Sequence, residues 1–176
     1  KKWTCPFLMA GINTRIVRRT NAIADFSYGE NFKYDEMSSY SQGLHGFLKA
    51  LMMLTTLGIL QSLIKSKALL RVLKNIVLPK PGEGPSINKM RNGFFKMKII
   101  GYFHKIKKIS VIVAGNSDPG YSATAKMLTE AAISMLLSED KIPKAYGVLT
   151  PASGIGLALI DRLRDKDISF IVNSEH

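Results

Sequence analysis

Two alternating segments joined by a short basic turn constrain the fold more than any other feature of this sequence. Apolar and polar residues alternate through residues 94–103 and again through residues 107–115. Such alternation is typical of β-strands with one packed face and one solvated face, and a short connection makes neighbouring strands antiparallel. Helical patterns occur on both sides of this hairpin. The sequence therefore predicts an α+β fold with a mixed, largely antiparallel sheet and helices on one side. Lysines on the outer face account for part of the formal net charge of +12.

The rest of the chain is assigned from apolar periodicity and helix caps. Helices are predicted over residues 14–24, 122–137 and 155–164, with Asn13 or Thr14 capping the first. A strand is predicted over residues 32–39, a short helix capped by Ser86 follows, and a last strand covers residues 168–172. The composition is 46% apolar and 9% aromatic, which argues against disorder.

Residues 111–126 form a strand-to-helix junction, VIVAGNSDPGYSATAK. Unpaired N–H groups at a helix start suit an anion or a polar substrate group. Asp118 is expected to cap this helix with Pro119 at the first helical position, and Gly120 permits close backbone approach. Tyr121 could donate to a substrate or simply pack. The structural role of Asp118 is preferred over a catalytic one.

Residues 44–63 contain one lysine in twenty largely apolar residues, which is close to the length and apolarity of a membrane-spanning helix. The continuation is basic and amphipathic, with Lys67, Arg71 and Lys74 along one face. This pattern is typical of a helix on an anionic membrane surface, but it also fits a helix packed over its own sheet or a partner subunit. Both interpretations stay open.

Arg15, Arg18 and Arg19 cluster on one face of the first predicted helix because they lie three and four residues apart. Guanidinium groups bind phosphate or carboxylate, but a solvated helix face is the preferred interpretation of the cluster.

The sequence predicts no metal site, because the histidines and Cys5 lack the spacings of metal ligands. The glycines of residues 147–156 do not complete a dinucleotide fingerprint. Nucleic acid is not expected as a partner, since basic residues are spread over at least three elements. A single cysteine cannot form an internal disulfide, which suits a reducing, intracellular compartment.

Several separated motifs, in order, carry a resemblance to a known family. They are PFLM at residues 6–9, NTRIVRRTNA at 13–22, KPGEGPS at 80–86, NGFFK at 92–96, DPGY at 118–121, TAKML at 124–128 and GVLTPA at 147–152. At these residues the chain resembles the C-terminal half of the saccharopine dehydrogenase-like oxidoreductases, a group that includes trans-acting enoyl reductases.

The resemblance implies an N-terminal Rossmann domain, outside this chain, that binds NAD(P). Residues 1–176 would then form a single C-terminal domain that shapes the substrate cleft and contributes dimer contacts, with residues 44–78 as a helical insertion. On its own this chain is expected to bind no cofactor and to be inactive. Members of the family are often linked to membranes or lipid droplets through such an insertion. The alternative function is a non-enzymatic scaffold on an anionic lipid surface, docked through Lys67, Arg71 and Lys74.

The candidate residues facing substrate or cofactor form one set, and no catalytic residue is assigned. They are Asn13, Arg15, Arg18, Asp118, Gly120 and Tyr121.

Overall fold

The computed structural model describes residues 2–66, 82–104 and 106–174. The chain divides into two compact units, Lys1–Gly84 and Pro85–His176, called unit 1 and unit 2 below. The described strands belong to two sheets, and every strand pairing is antiparallel. The predicted α+β class is therefore confirmed.

Unit 1 contains a two-stranded sheet and two helices, in the order β1 (Trp3–Pro6), α1 (Ala10–Ile23), β2 (Met37–Tyr40) and α2 (Leu44–Lys65). The strands pair with Cys5 opposite Ser38. The strand predicted over residues 32–39 is shorter in the structure, where it begins at Met37 and ends at Tyr40.

Helix α1 begins at Ala10, not at Thr14, so the prediction that Asn13 or Thr14 caps it is wrong. Met9 precedes the helix without a side-chain cap, and its carbonyl accepts from the Asn13 N–H at 2.9 Å. The end of α1 is tied to the following loop by Asn21. Its amide donates to the Gly29 carbonyl and accepts from the Tyr28 N–H. These bonds satisfy a buried polar side chain and fix the loop.

Within the described residues, helix α2 is buried mainly near its start. Gly46 and Ala50 are buried, and β1 and β2 contact the helix. Gly46 is required there, since a Cβ atom would lie 1.7 Å from the Ser41 carbonyl oxygen. The Trp3 indole donates to the Gly43 carbonyl and contacts the Phe47 ring in a tilted arrangement, with ring centroids 5.0 Å apart. Beyond Ala50 the helix is largely apolar, and many of its large side chains are exposed. These are Leu51, Met52, Met53, Leu54 and Ile59.

Unit 2 contains the predicted hairpin. Its elements are α3 (Ile87–Arg91), β3 (Phe95–Phe103), β4 (Ile106–Gly115), α4 (Ser122–Leu137), α5 (Pro151–Gly154), α6 (Leu157–Arg164) and β5 (Ile168–Ser174), with a 3-10 turn at Glu139–Lys141. The strand order is β3-β4-β5. Ser86 caps α3 as predicted, since its hydroxyl accepts from the Lys89 N–H.

The helix predicted over residues 155–164 begins two residues later, at Leu157, and a separate short helix that was not predicted precedes it. Helix α5 begins after Thr150, which forms a reciprocal capping box with Ser153. Gly156 then has φ +65°, a left-handed conformation that ends α5 before α6 begins. Apolar periodicity reports only the buried face, so it could not show this break.

The core of unit 2 lies between α4, α5, α6 and the start of β5. Ala123, Ile155, Leu163 and Ile168 are almost completely buried. Glu130 on α4 is also buried and is paired with Arg162 on α6. This core covers one end of the three-stranded sheet.

Candidate functional site

The strand-to-helix junction is a closed turn built around Asp118. Its carboxylate accepts from the Tyr121 N–H at 2.7 Å, and its carbonyl accepts from the Ala123 N–H at 2.9 Å. Its own N–H donates to the Met90 carbonyl at 3.0 Å. The prediction that Asp118 caps the helix is wrong, because Tyr121 is the residue that precedes α4 and no side chain caps the helix; the Asp118 carboxylate closes the turn before it. The carboxylate is thus engaged with backbone rather than held open for a ligand.

Pro119 does not occupy the first helical position, because α4 begins at Ser122. It lies in the turn, where its carbonyl accepts from the Thr124 hydroxyl at 2.6 Å. Gly120 lies beside the Asp118 carboxylate, and a Cβ atom there would have room. Tyr121 is half exposed. Its phenol is the group at this junction that a substrate could reach.

Gly93 is a structural requirement of the same turn. A Cβ atom at this position would lie 2.5 Å from Asp118 Cα and 2.6 Å from Asp118 N. Because these are backbone atoms, they cannot move aside as a flexible side chain can. Gly93 therefore lets α3 approach the junction closely.

A shallow cleft of about 420 Å³ lies next to the ends of β4 and β5. The polar residues that line it are Asn116, Arg164, Asp167 and Ser169. Arg164 is paired with Asp161 at 3.1 Å, and both side chains are largely exposed. Sequence reasoning missed this cleft, because its residues are brought together from two strands and a helix end.

One face of the sheet is open over most of its length. Register places Met97 opposite Val113 and Ile99 opposite Val111. On the other side of β4, Val111 lies opposite Val172. We define the open sheet face as Met97, Ile99, Ile109 and Val172. Each of these residues is 40–57% exposed within the described structure. The face is apolar, whereas Lys96 and Lys98 alternate onto the opposite face.

The ion pair in unit 2 is structural. Arg162 binds one Glu130 carboxylate oxygen through Nε and Nη2, both at 2.7 Å, and Lys166 lies 3.8 Å from the other. Burial of a carboxylate is tolerated when it is paired in this way. The cluster joins α4 to the end of α6.

In unit 1, Asn13 binds a carboxylate. Its amide donates to Glu36 Oε2 at 2.9 Å, and the Tyr34 hydroxyl donates to Glu36 Oε1. Burial, followed by this hydrogen bond to a negative group, raises the pKa of Tyr34 to about 12. Asn13 is therefore occupied by a contact that fixes the chain before β2.

Arg15 and Arg18 are exposed on the side of α1 opposite Asn13, as helical geometry requires. Two of the predicted site residues are thus open to an acidic ligand, while Asn13 is turned inward.

The structure places Asp118, Gly120 and Tyr121 in unit 2, and these three residues do lie together.

The predicted membrane-surface residues Lys67, Arg71 and Lys74 lie outside the described residues. Helix α2, which precedes them, is described. Among the helices in the described ranges, it alone contains a stretch, Leu44–Leu63, that is long and apolar enough to cross a membrane. Little of that stretch is buried. Within the same ranges, no group of three His, Cys, Asp or Glu side chains is arranged to hold a metal ion.

Comparison with known proteins gives a consistent result. A relative from Mycobacterium tuberculosis, Rv2449c, whose name gives trans-acting enoyl reductase as a provisional assignment, is 34% identical over 172 residues. A trans-acting enoyl reductase of Mycobacterium bovis is 34% identical over 163 residues, and one of Mycobacterium ulcerans is 33% identical over 164. The chain is similar to part of these proteins. The matches cover 92–95% of this chain but only 39–40% of each relative.

The similarity supports an oxidoreductase-related domain, in agreement with the enoyl reductase part of the predicted resemblance. No protein-family model matches the chain, and no solved structure is detectably similar to it.

Proposed function

We propose that this chain is the substrate-facing and dimerisation domain of a saccharopine dehydrogenase-like, nicotinamide-dependent oxidoreductase of the enoyl reductase type. The observation that carries the proposal is the similarity to proteins named trans-acting enoyl reductase, which extends over almost the whole chain. Because the chain spans about 40% of those relatives, the dinucleotide is assigned to a part of the protein outside it.

The open sheet face supports this role. Four apolar side chains on one side of an antiparallel sheet are incompletely covered by unit 2. An apolar surface of this kind marks a contact with another protein surface or with an apolar ligand. We assign it to the contact with a second copy of the chain, where it also forms a wall of the cleft for the acyl part of an enoyl substrate.

The polar candidates have separate roles in this proposal. Arg15 and Arg18 bind an acidic group of the substrate or cofactor through their exposed guanidinium groups. The Asp118 turn presents the half-exposed Tyr121 side chain to the substrate, and Gly120 leaves the backbone beside it accessible. The dinucleotide, when bound, would supply the hydride. The residues of this chain bind and orient the substrate.

The dimer contact is tested by sedimentation equilibrium of the chain. We expect a dimer that is lost in the double variant Met97→Asp, Ile99→Asp, because two charges would be placed in an apolar interface. The matched control is Lys96→Asp, Lys98→Asp on the same strand and the opposite face, which should remain dimeric. Dissociation by the control variant, or a dimer that survives both changes, contradicts this use of the open sheet face.

A second function is favoured by one observation on α2. This helix has 22 residues, a length of about 33 Å, and its exposed apolar residues are not confined to one side. The hydrocarbon core of a bilayer is about 30 Å thick. The sequence that follows is basic. The alternative proposal is therefore a non-enzymatic scaffold that docks on an anionic membrane or lipid droplet.

Flotation with anionic vesicles tests this alternative. The chain should float, and the triple variant Lys67→Glu, Arg71→Glu, Lys74→Glu should be released, because each basic residue near an anionic surface contributes about 1 kcal/mol. The control Lys89→Glu, Lys141→Glu, Lys144→Glu makes the same change of charge at exposed positions elsewhere. Equal release of both variants would show that total charge, rather than this segment, determines binding.

A further inference from the structure

The end of the hairpin in unit 2 exposes large apolar side chains. The register of β3 and β4 ends with Phe103 opposite Ile106, and Tyr102 lies one position earlier. All three are 60–64% exposed. We define these residues as the hairpin tip. The Phe103 ring contacts His104 edge-on at 4.4 Å, and His104 has φ +48°, so the strand ends in a tight turn.

The sequence around the hairpin tip is strongly basic. Residues 84–117 contain seven Lys or Arg and no Asp or Glu. Lys96 and Lys98 on β3 are exposed, and the sequence of β4 has lysine at positions 107 and 108. A hairpin that combines lysines with exposed apolar side chains complements a surface that is both anionic and apolar.

A lipid surface fits this combination better than a nucleic acid does. Single strands of DNA or RNA stack on aromatic rings and would use Tyr102 and Phe103, but they offer no apolar medium for Ile106. At the boundary of a bilayer, aromatic rings lie at the level of the headgroups, aliphatic side chains reach the acyl chains, and lysines bind phosphate.

We infer that the hairpin tip is a docking surface for an anionic lipid membrane, with Phe103 and Ile106 at the acyl boundary and the lysines of the hairpin near the headgroups. This contact is independent of the enoyl reductase proposal. It lies in unit 2 and is separate from the lipid contact proposed above for the segment that begins with α2.

A fluorescent reporter distinguishes the hairpin tip from α2. Trp3 is the single tryptophan of the chain. A variant with Trp3→Phe and Phe103→Trp therefore carries one indole, at the hairpin tip. Vesicles of phosphatidylcholine mixed with phosphatidylserine should shift its emission to the blue, and vesicles of phosphatidylcholine alone should leave it unchanged. Flotation without a shift would overturn the inference and leave a lipid contact through α2 intact.

Two double variants, each with a matched control, then test how much the apolar side chains and the lysines contribute to vesicle binding. Phe103→Ser, Ile106→Ser should weaken binding to anionic vesicles about tenfold, because two apolar side chains no longer leave water. The matched control Leu128→Ser, Tyr146→Ser removes two exposed apolar residues elsewhere and should have no effect. Lys107→Glu, Lys108→Glu should weaken binding at least tenfold, and more so at low salt. The control for charge is Lys141→Glu, Lys144→Glu.

Circular dichroism establishes that each variant keeps the fold. Binding that survives both hairpin changes, or falls equally with the controls, would overturn the inference. So would a preference for single-stranded oligonucleotides over anionic vesicles, which would assign the hairpin tip to nucleic acid.

Discussion

The two units of this chain differ in how they cover their apolar residues. Unit 2 buries Ile155, Leu163 and Ile168 between three helices and a strand. In the described part of unit 1, the buried apolar residues are Cys5 and Ala50, while the long apolar helix α2 is exposed along most of its length. Unit 2 therefore has a core of its own. The described part of unit 1 instead leaves the apolar side chains of α2 exposed, and exposed apolar area is unfavourable in water.

The largest effect is expected from paired truncations in the two units. Ile155→Ala should lower the free energy of unfolding by about 4 kcal/mol, because it leaves a cavity in the core of unit 2. Leu54→Ala on the exposed part of α2 should change it by less than about 0.5 kcal/mol in vesicle-free buffer. Chemical denaturation measures both. Similar costs would mean that α2 is already covered by protein in solution.

The ion pair in the core of unit 2 gives the next effect. Arg162→Met should cost about 3 kcal/mol, since Glu130 would be buried with only the distant Lys166 as a counter-charge. Arg164→Met is the matched control, and it removes an exposed pair with Asp161 that contributes about 0.5 kcal/mol. If the two variants lose equal stability, the Glu130 cluster does not hold α4 and α6 together.

Much of the fold follows from residues that are close in sequence. The bounds of α4, the basic hairpin and the cap at Ser86 agree with local patterns, because each depends on periodicity or on a side chain beside its helix start. The start of α1 could not be predicted, since only backbone groups cap it. The break at Gly156 depends on one left-handed residue inside an otherwise continuous apolar pattern.

Less of the candidate functional site than of the fold could be predicted from the sequence. The bond from the Tyr121 N–H to the Asp118 carboxylate spans three residues, so it lies within the range of local sequence patterns, although it closes a turn and does not cap the helix. The bond from Asn13 to Glu36 spans 23 residues, so no local pattern reports that Asn13 is already occupied. The open sheet face needs the tertiary structure, because alternation predicts that one face is apolar but not how much of it the helices cover.

The smallest effect concerns the polar contacts of unit 1. Tyr34→Phe should cost about 1 kcal/mol near neutral pH, because Glu36 loses one donor. The pKa of Tyr34 is raised in the folded state from 10.0 to about 12. The stabilisation from its protonated hydroxyl is therefore complete below pH 10 and is lost as the pH rises through 12.

Absorbance of the tyrosinate ion, followed with pH in the wild type and in Tyr34→Phe, measures this titration. The variant should lack a component that titrates with a pKa of about 12. Loss of a component that titrates at the ordinary pKa of 10.0 instead would contradict the contact between Tyr34 and Glu36.

Enoyl reduction by a chimera tests the central proposal most directly. In this chimera the present chain replaces the aligned segment of the Mycobacterium tuberculosis relative, about 40% of that protein. The measurement is NADPH oxidation with an enoyl substrate that the intact relative has been shown to reduce. We predict that the chimera is active, that Met97→Asp, Ile99→Asp lowers kcat/KM at least tenfold, and that Lys96→Asp, Lys98→Asp leaves it unchanged. A folded chimera that binds NADPH but reduces no enoyl substrate would contradict the assignment of this chain to an enoyl reductase.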